Sequence, residues 1–340
     1  MINRCICYVT DKGYLFPTLI SAMQAREHSS KATADIVIIA IGLDGKSTDL
    51  FRRVCDLESI QLLPFSNSSI EFAPSAMGRL FLGDLLPTQY SQLLYIDGDT
   101  QIAGSLDPLL GFSVPPGKFL AADDPLMFAA ETGSRVDSEH LRSVYGDQGP
   151  AHRYFNSGVV RTDRRTWESI GRQAMTLYRT DQGRAWRWPD QDTLNIVGGS
   201  SRIPLSLVWN FPIYLRDTGL DRTIKPLIYH FMASPKPWQG SFRPWNAKFF
   251  MPYREAIRRY PELSDYRSTL PPVRHLRYRI QQRVKQVGTI LLWKYSSRQR
   301  LILNYEQNSH AGAPARRDQA SSWPVNPAPL QPLTVHSESD

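Results

Sequence analysis

The sequence predicts an α/β protein whose central sheet is open, mostly parallel and flanked by helices. Apolar runs at residues 3–9 and 35–42 are typical of buried strands, and a helix is predicted after Pro17 between them. The same alternation of strand and helix patterns continues to residue 124. With 340 residues, 41% of them hydrophobic, the chain is long enough to bury a large core. In sheets of this kind, ligands bind outside the carboxyl ends of the strands.

The elements after the second strand follow from the spacing of apolar residues and from the positions of Pro and Gly. They are, in order, a helix at about 47–57, a strand at 59–65, a helix at 74–86, a strand at 92–97 and a strand at 118–124. A second block covers about 150–260. It contains a strand that runs into a helix at 155–167, a helix that begins at Pro189 and a strand at 225–232. No linker pattern separates the two blocks, so residues 1–260 are predicted to form one domain.

A basic, amphipathic helix is predicted at 273–303, within a C-terminal extension at 261–307. Its apolar residues recur at steps of three and four, with basic residues between them. Between Val273 and Tyr305 there are eight basic and no acidic residues, which equals the net charge of +8 of the whole chain. Three roles are open: packing on the domain, binding RNA, or lying on an anionic membrane, which we favour. Because the rest of the chain is neutral overall, we expect no nucleic-acid partner.

The ends of the chain and its cysteines predict a cytoplasmic protein, with a possible peripheral position on the inner face of the membrane. The segment that starts at Met1 does not have the pattern of a signal peptide, and no run reaches the length of a membrane span. The three cysteines form no Cys-x-x-Cys pair and are interpreted as buried apolar residues. The Pro-, Ser- and Ala-rich residues 308–340 are predicted to be disordered.

The segment LLYIDGDT at 93–100 ends an apolar run on two carboxylates, Asp97 and Asp99. On a continuing strand these side chains would point to opposite faces. Gly98 allows the chain to turn and to bring both carboxylates to one side. A shared divalent cation would then remove their repulsion. An ordinary Asp-Gly-Asp turn remains the alternative.

Three further segments contain candidate functional residues, each with a structural alternative. His230 ends a predicted strand and precedes Lys236. An imidazole ligand beside two carboxylates favours manganese over magnesium. The structural alternative is that a lone histidine at a strand end is usually a hydrogen-bonded core residue. Asn156, in YFNSGVV, offers donors and acceptors where the alternative is a strand-end turn. Asp190 and Gln191, in PDQDTLN, are suited to binding sugar hydroxyls, although Asp190 is also a good first-turn helix residue.

Together, six segments in this order resemble glycosyltransferase family 8, the retaining enzymes that include lipopolysaccharide glucosyl- and galactosyltransferases and glycogenin. The resemblance spans about residues 3–240, and its segments are VTDKGY, SAMGRL, LLYIDGDT, FNSGVV, DQDTLN and HFMASPKPW. It implies the nucleotide-diphospho-sugar transferase fold called GT-A, a UDP-hexose donor, and Mn²⁺ as cofactor with Mg²⁺ as the alternative. It also implies a glycan or glycolipid acceptor.

The resemblance further implies roles for individual residues. Asp97, Asp99 and His230 match the metal ligands, and Lys236 matches the lysine that binds diphosphate. The segment that holds uracil and ribose is matched by Val9, Thr10, Asp11 and Tyr14, and an arginine near the donor is matched by Arg79. The rest of the predicted donor site consists of Asp97, Gly98, Asp99, Asn156, Ser157, Asp190, Gln191, His230, Ala233 and Lys236. Asp190 and Gln191 are the predicted catalytic residues. Two positions depart from the family pattern, because Ala233 replaces a usual glycine and Gly13 replaces a polar residue before Tyr14.

The predicted reaction is retaining transfer of glucose or galactose to lipopolysaccharide or another cell-surface polysaccharide. No carboxylate is an evident covalent nucleophile, although Asp190 and Asp192 are candidates, so front-face displacement is favoured. A nucleotidyltransferase that joins UTP and a sugar phosphate is an alternative, but it should have a Gly-rich loop after the first strand, where VTDKGYLFPTL has one glycine. A non-catalytic basic protein that binds RNA or membrane is the other alternative.

Overall fold

A computed structural model describes residues 2–147, 149 and 152–312 of the chain. Ten strands are present in this part of the chain. They are β1 Arg4–Asp11, β2 Asp35–Ile41, β3 Gln61–Phe65, β4 Gln92–Ile96, β5 Thr100–Ile102, β6 Phe119–Asp123, β7 Phe155–Asp163, β8 Arg202–Pro204, β9 Phe211–Pro212 and β10 Ile228–His230.

Seven strands form the central sheet, in the order β3-β2-β1-β4-β7-β6-β8. All of its neighbouring pairs are parallel except the two that involve β7, which runs antiparallel to both β4 and β6. The predicted mostly parallel α/β sheet is therefore confirmed. A separate three-stranded sheet has the order β5-β10-β9, so the predicted strand at 225–232 forms the centre of this small sheet and not part of the large one.

The helices cover both faces of the central sheet. They are α1 Leu15–Glu27, α2 Gly45–Leu57, α3 Leu82–Leu85, α4 Asp107–Leu110, α5 Pro125–Ala130, α6 Arg135–Tyr145, α7 Arg164–Tyr178, α8 Asp181–Ala185, α9 Pro189–Gly198, α10 Leu220–Ile224, α11 Asn246–Arg259, α12 Pro272–Trp293 and α13 Ser297–Asn308. Among the described residues, no helix combines the length and the apolar composition that crossing a bilayer requires. The three cysteines are buried and unpaired, as predicted.

Two predicted helices differ in the structure. The segment predicted as one helix at 74–86 is a 3₁₀ helix at Ser75–Phe81 followed by the single turn α3. This segment packs tightly on β1, since a Cβ atom added to Gly78 would lie 2.6 Å from Val9 Cγ1. The helix predicted at 273–303 is two helices, because Tyr295 has a left-handed backbone conformation (φ 55°) and Ser296 caps the start of α13.

The second of these helices, α13, is anchored to the edge of the central sheet. Ile302 is fully buried, and the hydroxyl of Tyr305 donates to the Leu205 carbonyl at 2.6 Å while it accepts from the Asp123 N–H at 3.0 Å. Trp293 and Ile302 belong to the same buried apolar cluster as β1 and α1.

The prediction of disorder from residue 308 is wrong for residues 308–312, because the His310 N–H donates to the Pro204 carbonyl at 2.9 Å and the His310 carbonyl accepts from the Ser206 N–H at 3.0 Å. Residues 313–340 lie outside the described residues.

Replacing Tyr305 with Phe is expected to lower the free energy of unfolding by about 1–3 kcal/mol, because a buried backbone donor and a buried acceptor lose their partner. The midpoint of urea denaturation measures the effect. Tyr295→Phe is the matched control, since Tyr295 is exposed, and we expect its change to stay within about 0.5 kcal/mol. Equal changes in both variants would show that the buried hydroxyl does not anchor α13.

Candidate active site

The candidate site lies where β1, β4 and β10 end and where β7 begins. Because β7 is antiparallel to β4, its first residues lie beside the last residues of β4, and the Asp97 N–H donates to the Gly158 carbonyl at 2.8 Å. β10 pairs with β5, which follows the Asp-Gly-Asp turn, and this pairing places His230 opposite Thr100. Segments that are far apart in the sequence therefore meet at one edge of the sheet.

Asp97, Asp99 and His230 form the centre of this site. The potential ligand atoms of the three side chains all lie within 4.8 Å of one another. His230 Nε2 lies 3.1 Å from Asp99 Oδ1 and 3.8 Å from Asp97 Oδ2. His230 is buried and both carboxylates are partly buried. The three residues that the resemblance assigned to a metal thus lie together.

Two glycines make this close approach possible, for a steric reason. A Cβ atom on Gly158 would lie 2.3 Å from His230 Cε1, and one on Gly98 would lie 2.0 Å from Thr18 Oγ1. Gly98 is not in the left-handed region, so the interpretation that it is needed for an unusual backbone angle is wrong. What the turn requires at position 98 is the absence of a side chain.

The protonation of His230 follows from a chain of hydrogen bonds. Asn156 Oδ1 accepts from the Gly158 N–H at 3.0 Å and from Asn210 Nδ2 at 2.8 Å. Asn210 therefore presents its Oδ1 atom to His230 Nδ1, at 2.8 Å, so that Nδ1 must carry a proton. In a neutral imidazole, Nε2 then presents a lone pair to the two carboxylates.

This arrangement fits a divalent cation. A lone pair that faces two carboxylate groups is repulsive unless a positive charge lies between them. One imidazole nitrogen and two carboxylate oxygens are suitable ligands for such an ion. The Asn210 hydrogen bond also has the geometry by which the protein orients metal-binding histidines.

Lys236 adds a positive charge next to the same carboxylates. Its ammonium donates to Asp99 Oδ2 at 2.6 Å. Burial alone would raise the pKa of Asp99, but the charge of Lys236 holds it well below its ordinary value. Burial would likewise lower the pKa of Lys236, and the Asp99 carboxylate instead raises it. Lys236 therefore stays charged at the site.

Arg79 joins the cation site to a second group of predicted residues. Its guanidinium lies 3.0 Å from Asp97 Oδ1 and 3.3 Å from Asp190 Oδ2, and it donates to Ser157 Oγ at 2.9 Å. The side chain is largely buried against Tyr95, whose hydroxyl donates to Asp97 Oδ1. The position of Asp190 relative to the cation site thus depends on Arg79.

Asp190 and Gln191, the predicted catalytic residues, lie at the start of α9. Burial raises the pKa of Asp190, although the charge of Arg79 opposes this effect. Gln191 uses both ends of its amide: Oε1 accepts from the Ser157 N–H at 3.1 Å, and Nε2 donates to Asp124 at 3.1 Å and to the Tyr154 hydroxyl at 3.2 Å. The Gln191 side chain is therefore held in place.

The candidacy of Asp192 as a nucleophile is wrong on structural grounds. Its side chain is fully buried, and it accepts hydrogen bonds from the Tyr154 hydroxyl and from the Trp188 N–H at 3.0 Å. Its Oδ1 atom also lies 3.0 Å from His140 Nε2. Asp192 stabilises the start of α9 and does not face the site.

Two residues of the site were not predicted from the sequence. Asp124 follows β6 and caps the start of α5. Its carboxylate accepts hydrogen bonds from Asn156 Nδ2 at 2.9 Å and from Gln191 Nε2 at 3.1 Å, and burial raises its pKa. Its place at the end of a predicted strand was a usable signal. Asn210 had none, because it lies between short irregular elements and reaches His230 only through the fold.

The predicted nucleoside segment borders a cavity of about 610 Å³ at the end of β1. The cavity is lined by Asp11, Lys12, Gly13, Ile41, Gly42, Asn67, Phe72, Ala73, Pro74 and Ser75. The carboxylate of Asp11 supports the loop: it accepts from the Gly13 N–H at 2.8 Å and from the Ser75 hydroxyl at 2.6 Å.

The remaining predicted donor residues lie around this region. Thr10 is buried with its hydroxyl bonded to the Asp11 carbonyl, Val9 packs partly buried beneath Gly78, and Tyr14 packs edge-on against Trp238. Ala233 is exposed on the loop between β10 and Lys236.

Residues 5–241 match the model of a protein family described as Glycosyl transferase family 8. Among characterised proteins, the chain is 23% identical to the lipopolysaccharide glucosyltransferase WaaO of Escherichia coli K12 over 255 residues, which cover 69% of this chain and 73% of that protein.

Solved structures with the same fold include two glycosyltransferases. The galactosyltransferase LgtC in complex with donor and acceptor sugar analogs aligns with a TM-score of 0.55 and 18% identity, covering 79% of this chain and 98% of LgtC. The apo structure of the bifunctional enzyme WbbM aligns with a TM-score of 0.58 and 18% identity, covering 78% of this chain and 51% of WbbM. The chain thus spans about half the length of WbbM.

If the candidate site holds a divalent cation, replacing Asn210 with Leu is expected to weaken the binding of that cation by about 10- to 100-fold, because His230 loses the acceptor that fixes its tautomer and orientation. Isothermal titration of the protein with Mn²⁺ measures the affinity. The control is Asn195→Leu, which removes another buried amide, one that bonds the backbone of Phe155. An unchanged affinity in Asn210→Leu, or an equal loss in Asn195→Leu, would contradict the assigned role.

Proposed function

The chain belongs to glycosyltransferase family 8 and is a glycosyltransferase with the GT-A fold, and on this premise we propose that it moves a hexose from a UDP-sugar to a glycan acceptor in an Mn²⁺-dependent reaction that retains the anomeric configuration. The observation that carries the proposal is the cluster of Asp97, Asp99 and His230, with Lys236 against Asp99. A cation site beside a buried lysine matches the charge of a diphosphate.

The nucleoside of the donor is proposed to occupy the cavity at the end of β1. The diphosphate would then extend from Asp11 towards the cation site, where Tyr14 lies close enough to Lys236 for the two to influence each other's pKa values. The cavity combines polar groups such as Asp11 and Asn67 with apolar side chains such as Ile41 and Phe72. This lining is suited to a nucleotide, since ligand sites join an apolar lining to a few fixed polar contacts.

Asp97, Asp99 and His230 would hold the metal, and the imidazole ligand favours Mn²⁺ over Mg²⁺. When bound, the ion supplies positive charge that stabilises the negative charge developing on the diphosphate. Lys236 performs the same task from the protein side. It now bonds Asp99, and the diphosphate would become its new partner without any change in its own charge.

The hexose is proposed to lie among Asp190, Gln191 and Asn156. Arg79 holds Asp190 near the cation site, so its carboxylate is positioned to stabilise a sugar that becomes cation-like at C1. Gln191 and Asn156 both bond Asp124, and this network fixes their amide groups for contacts with sugar hydroxyls. Asp190 and Gln191 are therefore our catalytic candidates, with Gln191 acting as a rigid contact and not as a nucleophile.

The proposed reaction is a front-face displacement. The bond between C1 and the β-phosphate oxygen breaks with its electron pair staying on UDP, the acceptor oxygen bonds to C1 from the same face, and the acceptor proton goes to the leaving phosphate. Gln191 is a poor nucleophile because its carbonyl oxygen already accepts from Ser157, and Asp192 is buried away from the site. Of the two candidate nucleophiles, Asp190 and Asp192, Asp190 is therefore the one on which a covalent route could depend.

The acceptor is proposed to be lipopolysaccharide or another cell-surface polysaccharide. Support comes from WaaO, which is named a lipopolysaccharide glucosyltransferase. Glucose and galactose donors are both candidates, because WaaO is a glucosyltransferase and LgtC is a galactosyltransferase. Membership of the family removes the basis for the two alternatives, a nucleotidyltransferase and a non-catalytic binding protein.

UDP release from a panel of UDP-hexoses is expected to require Mn²⁺ and to fall by about 10²- to 10³-fold in Asp97→Asn and Asp99→Asn, because each substitution removes a charge that holds the metal. A coupled assay for UDP measures the rate. Asp49→Asn, on an exposed face of α2, is the control and should retain full activity. Turnover without metal, or unchanged turnover in both site variants, would refute the proposal.

Front-face displacement predicts that no glycosyl-enzyme accumulates. After incubation with a slowly reacting 2-fluoro UDP-hexose, intact mass spectrometry should show the unmodified chain. Azide should also fail to restore activity to Asp190→Ala, because no nucleophile has been removed. A mass increase by one sugar that maps to Asp190, or rescue by azide, would establish a covalent route instead.

A further inference from the structure

The cavity at the end of β1 has one aromatic ring among its described lining residues, that of Phe72. This side chain is 78% exposed. A phenyl ring in water lacks the free energy that burial of its apolar surface would supply, and its flat face is suited to stacking on another flat ring. The cavity thus has an exposed stacking surface in its lining.

The exposure of Phe72 results from a turn that is fixed at several points. The Phe72 N–H donates to the Asn67 carbonyl at 2.9 Å, which closes the turn. Inside the turn, Ile70 is fully buried and anchors it to the core. Glu71 forms an ion pair with Arg179, at the end of α7. These contacts hold the aromatic ring out of the core.

The backbone at Phe72 has an uncommon conformation. Glu71 and Phe72 are both left-handed, with φ of 56° and 59°. Residues with a side chain rarely adopt this region, and a bulky residue in it is an outlier. The conformation disfavours folding, and glycine would relieve it. Because such residues cluster at ligand-binding sites, a phenylalanine kept in this conformation beside a cavity indicates a role in binding.

Most polar side chains in the cavity lining already have partners within the protein. The Ser75 hydroxyl donates to Asp11 at 2.6 Å, and the Lys12 ammonium donates to Asp44 at 2.7 Å. Among the described residues, none forms a hydrogen bond with the side-chain amide of Asn67, which also lines the cavity. This amide is therefore available to a ligand as both a donor and an acceptor.

The Asn67 amide lies close to the backbone of Gly42, the residue that follows β2. A Cβ atom on Gly42 would lie 2.9 Å from Asn67 Oδ1 and 3.4 Å from Asn67 Nδ2. Asn67 and Phe72 are the two ends of the same turn, joined by a backbone hydrogen bond. One flat ligand could therefore stack on the ring of Phe72 and bond the amide of Asn67 with its edge.

We propose that the turn at 67–72 binds the nucleobase of the donor. The Phe72 ring stacks on the face of a uracil, and the Asn67 amide bonds its edge, with the amide oxygen accepting from N3–H and the amide nitrogen donating to a neighbouring carbonyl. The inference rests on the proposed function, because it requires that the cavity holds the nucleoside of a UDP-hexose. A sugar ring is a poorer occupant, since it has neither a flat aromatic face nor an imide edge.

The test is isothermal titration of the full chain with UDP in the presence of Mn²⁺. Phe72→Ala is expected to weaken UDP binding by about 10- to 100-fold, because a base loses its stacking partner, and Phe72→Tyr should retain the affinity. Asn67→Ala should weaken it by about 3- to 10-fold. Neither alanine variant should change the affinity for ribose 5-diphosphate, which has no base.

Methylation of UDP at N3 tests the edge contact directly. The methylated nucleotide should bind the unaltered chain less tightly than UDP does, because N3 no longer donates a hydrogen bond. In Asn67→Ala this difference should disappear, since the acceptor is absent. A difference of the same size in both proteins would show that another group bonds the edge of the base, which would overturn the role of Asn67.

Phe72→Gly separates binding from folding. It should weaken UDP binding as much as Phe72→Ala does, but it should not lower the midpoint of thermal unfolding, because glycine relieves the left-handed conformation. Tyr295→Ala is the matched control, since Tyr295 is another exposed aromatic residue with a left-handed backbone, at φ 55°. Ser68→Ala is the control for Asn67, since Ser68 is an exposed neighbour outside the cavity lining. Both controls should bind UDP normally.

The outcomes distinguish this inference from the proposed function. Equal UDP affinity in Phe72→Ala and the unaltered chain, or an equal loss of affinity for ribose 5-diphosphate, would overturn the inference. Mn²⁺-dependent UDP release by the unaltered chain would still support the proposed function in that case. An unaltered chain that binds no UDP would refute the proposed function, and this inference with it.

Discussion

The site depends on the balance of charge around two carboxylates of one short turn. Asp97 and Asp99 lie close together, and each has its own cationic neighbour, Arg79 for Asp97 and Lys236 for Asp99. His230 presents an imidazole nitrogen to both. Without these partners the carboxylates would repel each other and one would hold its proton. The positive charges that stabilise this turn, on Arg79 and Lys236, also suit a diphosphate.

The topology of the sheet makes this balance possible. β7 runs antiparallel to its neighbours, so its first residues meet the end of β4, and Gly158 leaves room for His230. The same strand start contributes Asn156, which connects through Asn210 to His230 and through Asp124 to Gln191. The candidate cation site and the proposed sugar site are thus parts of one hydrogen-bond network.

Much of the site could be predicted because its residues end strands that are visible as apolar runs. Asp97, Asp99 and His230 each follow or close such a run, and parallel strands end at one edge of a sheet. The requirement for glycine at position 98 is an exception. It comes from the lack of space beside the Thr18 hydroxyl and not from an unusual backbone angle, and Thr18 is 80 positions away along the chain although it is close in the fold. Asn210 and the burial of Asp192 were likewise beyond prediction, because their partners come from elements distant in sequence.

The sequence by itself determined the α/β class, the order of the main strands and the charge and periodicity of α12, because these properties depend on residues that are neighbours along the chain. Only the tertiary structure decided which face of α12 is buried, where that helix ends, and which nitrogen of His230 carries the proton. Each of these depends on contacts between segments that the fold brings together. The apolar residues of α12 illustrate the difference. Their spacing at steps of three and four is visible in the sequence, but the exposure of residues such as Leu276 and Val284 follows from the contacts of the opposite face, where Gln286 donates to Asp217.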